Sequence, residues 1–259
     1  MKTALRANLE RFGLLGPSRA LVYWLTRLDR GTTHPRRRMV RFYSQFISKG
    51  DLCFDVGANI GDRSSIFLEL GARVVSIEPQ SSCMASMHER FERDRRVTIV
   101  GKGVSDREGW AELSLCEDAP PLATLSQEWK DGSRFSKVYG YQWNRAERIQ
   151  LTTLDRLIAD HGVPSFCKID VEGYERVVLA GLSQPIPCLS FEFNREMTDE
   201  AERCVDRLLE LAPYEFNFSI AEPMEPLSGE WTAADRLFDA LSRMTDQLLW
   251  GDIYARLKG

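Results

Sequence analysis

Phe54-Asp55-Val56-Gly57-Ala58-Asn59-Ile60-Gly61 reads as a buried strand that turns sharply, through two glycines, into a helix. Leu52 to Val56 supply the strand, and Ser64 to Leu70 carry the apolar positions of the helix. Outward from this unit the same alternation repeats. Val74 to Ile77 form a second short strand. Met84, Met87 and Phe91 step at helical spacing, and Val97 to Val100 form a third strand. Trp110 to Leu115 and Ile149 to Leu154 look like extended excursions. Phe166 to Asp170 and Leu189 to Phe193 are the fourth and fifth main strands, with Tyr174 to Leu182 helical between them. Ala201, Cys204, Val205, Leu208, Leu209 and Ala212 mark a further helix, and Phe216 to Ile220 and Leu248 to Tyr254 read as closing strands. Short apolar strands alternating with helices predict an α/β fold: a mostly parallel sheet with helices on both faces.

The chain of 259 residues is 43% hydrophobic and 28% charged, enough for a full core. Its 18 glycines and 11 prolines exclude collagen-like and low-complexity architectures. A net charge of −4 gives the whole chain no case as a nucleic-acid binder. Six cysteines without a Cys-x-x-Cys pair, and only three histidines, argue against structural zinc and for free buried thiols in a reducing, cytoplasmic setting. No stretch reaches the ~20 apolar residues of a membrane span. Residues 1–41 carry ten basic residues against two acidic ones, a local +8 that leaves −12 for the remainder. Leucines and aromatics are interleaved there, so residues 1–49 are expected to be a basic helical extension ahead of a domain over 50–259. That extension either packs on the domain with its arginines solvated or touches an anionic membrane surface.

The chemistry lies at the strand ends. Asp55, before the first glycine, would repel a pyrophosphate but suits an ammonium group. Glu78 ends the second strand, 21 residues beyond Gly57, where a carboxylate can take both hydroxyls of a ribose. Acids on both sides of the turn fit a ligand with an amino-acid head and a nucleoside tail, S-adenosylmethionine. Gly103-Val104-Ser105-Asp106 follows the third strand and offers polar groups to an adenine. On the fourth strand Lys168, Asp170 and, if the chain stays extended, Glu172 share one face. Ionisable groups on a central strand are costly to bury unless paired or functional.

The turn over residues 54–61, the Glu78-Pro79 pair, Val104-Ser105-Asp106, Leu151-Thr152-Thr153-Leu154-Asp155 and Lys168-Ile169-Asp170-Val171-Glu172-Gly173 occur in an order that resembles the FkbM family of methyltransferases. The resemblance covers about residues 50–195. It implies a class I, Rossmann-like fold with a seven-stranded sheet, S-adenosylmethionine as donor, and a hydroxyl acceptor on a sugar, polysaccharide or polyketide. Carried over by position, Asp55, Gly57, Asn59 and Gly61 line the methionine side, Glu78 holds the ribose, and Ser105 with Asp106 the adenine.

An alcohol needs a base at neutral pH. Asp170 is the first candidate, Glu172 the second and His161 a third. No metal is required; a magnesium-assisted variant would draw on Asp170, Glu192 and Asn194. Residues 117–147 carry Trp129, Phe135, Tyr139, Tyr141 and Trp143 beside Lys130, Arg134, Lys137 and Arg145. That composition suits either part of an acceptor site or a small satellite core. A nicotinamide-dependent oxidoreductase and a non-catalytic cofactor-binding subunit remain alternatives, although Asp55 and Asn59 count against the first and Asp170 against the second.

Overall fold

The computed structural model describes residues 34–220, 230–246 and 249–259. Most of the basic segment therefore lies outside the described residues. The helix expected there is seen from α1 (His34–Tyr43) onward. Strands β1 (Leu52–Val56), β2 (Arg73–Ile77), β3 (Val97–Val100), β7 (Phe166–Ile169), β8 (Cys188–Asn194), β9 (Tyr214–Ile220) and β10 (Trp250–Leu257) form one seven-stranded sheet in the order β3-β2-β1-β7-β8-β10-β9. Every pairing from β3 to β8 is parallel, and β10 runs antiparallel to both β8 and β9. The closing strand expected from Leu248 begins at Trp250 and runs on to Leu257; Leu248 itself lies outside the described residues.

Helices α2 (Asp62–Glu69), α3 (Ser81–Phe91), α6 (Leu154–His161), α7 (Glu175–Ala180), α8 (Thr198–Leu211) and α9 (Ala234–Ser242) cover the sheet. Side chains alternate along each strand, so the two faces bury different sets. Phe54, Val56, Cys167, Ile169, Phe191 and Ile253 join a core with α6, α7, α8 and α9. Cys53, Val74, Phe166 and Tyr254 face the other way, against α2 and the aromatic end of α1. There Tyr43 packs edge-on to Phe67 at 5.0 Å, and Phe46 stacks on Tyr254 at 5.2 Å. Residues 34–47 thus share a core with the sheet, and Arg36 pairs with Glu69 of α2 at 2.7 Å.

A second sheet, β4 (Gly103–Val104), β6 (Arg145–Thr152) and β5 (Gly109–Leu115), holds the two expected excursions, although the later one begins four residues earlier at Arg145 and ends at Thr152, with Leu154 opening α6. Between β5 and β6, helices α4 (Gln127–Gly132) and α5 (Arg134–Lys137) enclose a small core of Cys116, Ala119, Leu122, Trp129 and Phe135. Tyr139, Tyr141 and Trp143 pack against it. Of the two roles open to the 117–147 aromatics, they fill the satellite core. The sheet order reverses between β1 and β7, the point where an open α/β sheet leaves a crevice at its carboxyl edge.

Candidate active site

The turn after β1 is shaped by the protein's own packing. Gly57 has φ +79, and a β-carbon there would sit 1.8 Å from the carbonyl oxygen of Asp170. Gly61 is also left-handed, and a β-carbon there would sit 2.5 Å from the Phe91 ring. The sequence assigned these glycines to close approach by a ligand; the tight neighbours are β7 backbone and α3. Asn59 adopts φ 51, tolerated because its Oδ1 accepts from the Ile60 N–H at 2.8 Å.

Glu78 stands at the carboxyl end of β2. Its two oxygens accept from the backbone N–H groups of Asn59 and Gln80, each at 2.8 Å. Burial pushes its carboxyl up to about 7 despite those two bonds. Ser105 is buried after β4, its hydroxyl 3.2 Å from Asp106 Oδ1 and 3.3 Å from the Tyr174 hydroxyl. Asp106 is exposed, and Arg107 approaches it at 3.8 Å. Tyr174 and Gln80 went unnoticed in the sequence because neither residue type marks a site by itself.

Asp55 is buried beneath the turn and does not line the cleft. Strand alternation turns it toward α2, where Ser64 donates to its Oδ2 at 2.6 Å and Ser64 and Ser76 hydroxyls meet at 2.7 Å. Burial raises its carboxyl above the ordinary range, opposed by the Ser64 bond and the charge of Lys168. The register places Asp55 beside Lys168, which pairs with Ser190 on the next strand. This polar row lies one pleat below the site. Lys168 Nζ donates to Asp170 Oδ2 at 2.7 Å; the lysine side chain is 3% exposed and the aspartate 36%. Burial alone would depress the ammonium, but Asp170 and Asp252 outweigh it and hold Lys168 above its usual range. Asp170 is the member that faces the crevice.

Glu172 does not continue the strand. It has φ 53 and is followed by Gly173 at φ +83, a left-handed pair held by Thr124, whose hydroxyl donates to the Glu172 carbonyl at 2.7 Å. A non-glycine residue in that region costs about 1–3 kcal/mol and persists where the surroundings impose it. The turn aims the N–H groups of Val171 and Gly173 at Glu175 Oε1, 3.0 and 3.4 Å away. Burial, then the nearby charge of Glu192, pushes Glu175 up to about 8. Asp170, Glu172 and Glu192 nevertheless bring one oxygen each within 4.8 Å of one another, a spacing that could hold a divalent cation. Asn194, expected in such a set, lies instead with its Oδ1 3.5 Å from Arg134 Nη2.

Arg134 is itself buried. Its Nε and Nη2 bind Glu196 at 2.7 and 2.6 Å, and Nη2 donates to the Leu249 carbonyl at 3.1 Å. It ties the satellite core to β8 and β10 and does not reach outward to an acceptor. His161 ends α6 before β7 begins, at the amino edge of the sheet, with its ring against Phe54. It is remote from Asp170.

The family described as Methyltransferase FkbM domain matches residues 55–218, well over half the chain. The chain belongs to the FkbM methyltransferase family. Comparison with curated proteins gives no match. Among solved structures, this FkbM methyltransferase is similar to a precorrin-6y C5,15-methyltransferase from Geobacter metallireducens at 10% identity, over 86% of each chain, with a TM-score of 0.46. A SAM-dependent O-methyltransferase from Thermotoga maritima is similar at 12% identity and a TM-score of 0.41, over 91% of this chain and 70% of that one. Aeropyrum pernix fibrillarin with bound S-adenosyl-L-methionine gives 11% identity and 0.40, over 81% and 68%.

The methyl donor of this FkbM enzyme is S-adenosylmethionine, and the chemistry of Glu78 fits it. A carboxylate held by two amides but still pushed to about 7 is short of hydrogen-bond donors, and ribose hydroxyls are such donors. Among the described residues no helix is long and apolar enough to cross a membrane.

Proposed function

We propose that the enzyme methylates a hydroxyl oxygen of a sugar, polysaccharide or related secondary metabolite. The observation that carries this reading is Asp170: a half-exposed carboxylate at the switch point, hydrogen-bonded to a buried lysine. A carboxylate fixed there by Lys168 is placed to accept the proton that an alcohol loses as it attacks. Glu172 stands beside it as the second carboxylate. In this reading Gly57, Asn59 and Gly61 shape the methionine end, with Asp55 anchoring the turn from below through Ser64. Glu78 takes the ribose, and Ser105 with Asp106 the adenine.

When bound, S-adenosylmethionine supplies an electrophilic methyl group. The chain's own work is alignment and proton removal. Three carboxylates around the acceptor side disfavour a polyanion such as nucleic acid, in keeping with the −12 carried beyond residue 41. A second reading, a divalent cation on Asp170, Glu172 and Glu192 that lowers the acceptor's pKa, is favoured by their convergence.

Calorimetry with S-adenosylhomocysteine and NAD side by side tests the cofactor assignment; heat with NAD alone would replace a methyltransferase by an oxidoreductase. Across a panel of glycan and small hydroxylated acceptors, methyl release should fall by about 100-fold or more in Asp170→Asn, the scale of a lost general base. Turnover that survives chelation and ignores added magnesium removes the cation reading.

A further inference from the structure

A cavity of about 20 Å3 lies behind the 170–175 turn, bounded by Trp129, Gly173, Glu175, Glu192, Asn194 and, from α8, Cys204. That volume admits about one water-sized group. Trp129 is fully buried, and its indole Nε1–H has no hydrogen-bond partner. Its neighbour Trp143 shows the contrast: within the same small core that indole donates to the Leu122 carbonyl at 2.7 Å. An orphaned buried donor is destabilising, so natural proteins usually supply a partner. Trp129 lines the cavity beside Gly173. A β-carbon on Gly173 would lie 2.2 Å from Trp129 Cδ1, the atom next to Nε1.

The lining restricts what that partner can be. It must offer a lone pair to the indole N–H and a hydrogen to the carboxylate of Glu192. An ammonium has no lone pair to give. A carboxylate or phosphate has no hydrogen to give and would meet the acidic side chains. A neutral O–H does both. We propose that this cavity is a hydroxyl subsite, in which a single O–H oxygen accepts from Trp129 Nε1 and donates to Glu192. The oxygen comes from a water or from a second hydroxyl of the acceptor; the latter source rests on the O-methylation reading and marks the acceptor as a polyol.

Cross-relaxation between water and the tryptophan indole protons, read on 15N-labelled protein without ligand, tests the subsite. The chain has six tryptophans, and Trp129→Phe assigns the signal. The expected result is a water cross-peak at Trp129 Nε1–H; its absence overturns the proposal. Cys204→Met fills the cavity from the opposite wall and provides a second variant. It should abolish the cross-peak while leaving S-adenosylhomocysteine affinity unchanged, and a cross-peak that persists overturns the assignment. A crystal of the S-adenosylhomocysteine complex, with and without a glycerol soak, separates the sources: a glycerol oxygen on Trp129 Nε1 points to the acceptor, a retained water to solvent. An empty cavity, or an indole satisfied by a protein atom, again overturns it. Failure of S-adenosylhomocysteine to bind would sink the proposed function and leave the ligand-free measurement intact.

Discussion

At the scale of single residues the site depends on groups held in unfavourable states. Glu78 is the clearest. Its carboxyl rises from the ordinary 4.5 to about 7 on folding. The folded protein therefore binds more protons than the unfolded chain between those values, and stability falls as pH rises through that window. The contribution is about 3 kcal/mol across it, read as the part of the change in urea midpoint between pH 4.5 and 7 that Glu78→Gln removes. Cofactor binding carries the opposite sign. Ribose hydroxyls donate to the ionised form, so S-adenosylhomocysteine affinity should increase from pH 6 to pH 8, with proton release near pH 7 in calorimetry. Glu78→Gln should weaken binding by about 2 kcal/mol, roughly 30-fold, the value of charge-assisted hydrogen bonds. Gly57→Ala tests a different claim. With the Asp170 carbonyl 1.8 Å from the new carbon, the loss should be about 3 kcal/mol and be visible as a lower melting temperature even without ligand. An unchanged melting temperature would return Gly57 to the ligand-approach role.

At the scale of elements, the segment between β5 and β6 is tied to the turn after β7 and to the residues around β8 and β10. Ser126 caps α4 by accepting the Trp129 N–H at 3.0 Å, Thr124 grips the Glu172 carbonyl, and Arg134 clamps Glu196 and the Leu249 carbonyl. The buried Arg134–Glu196 pair is costly to break from one side, because the remaining carboxylate is left uncompensated. Arg134→Met should destabilise by about 3–5 kcal/mol, with hydrogen exchange accelerating first over residues 117–143. Uniform acceleration across the whole chain would mean that the clamp is not local. The composition of this segment allowed a substrate-stacking role for its aromatics. Burial decided otherwise, since composition does not say which way a ring faces.

At the scale of the molecule, α1 and the residues after it complete one face of the sheet. Phe42, Tyr43 and Ile47 are buried with Phe67, Phe166 and Tyr254. Losing three such side chains would forfeit about 6 kcal/mol, comparable to the whole stability of an ordinary domain. A chain starting at residue 49 should therefore be insoluble or molten by near-ultraviolet circular dichroism; a cooperative unfolding transition would show that this face is dispensable. Much of the rest was legible in the sequence. Short apolar runs alternating with helical spacing specify a parallel sheet, because only a strand covered on both faces can be apolar throughout. Glu78 and two glycines where strands end marked the crevice, since the carboxyl ends of an open α/β sheet are where polar groups can meet a ligand. What only the tertiary structure decided was direction and company: Asp55 turned under the cleft, Glu172 twisted out of the strand, Asn194 drawn toward Arg134, and Glu175 and Trp129 placed around a cavity. Those outcomes depend on which side chains distant segments bring within a few ångströms, and local pattern carries no term for that.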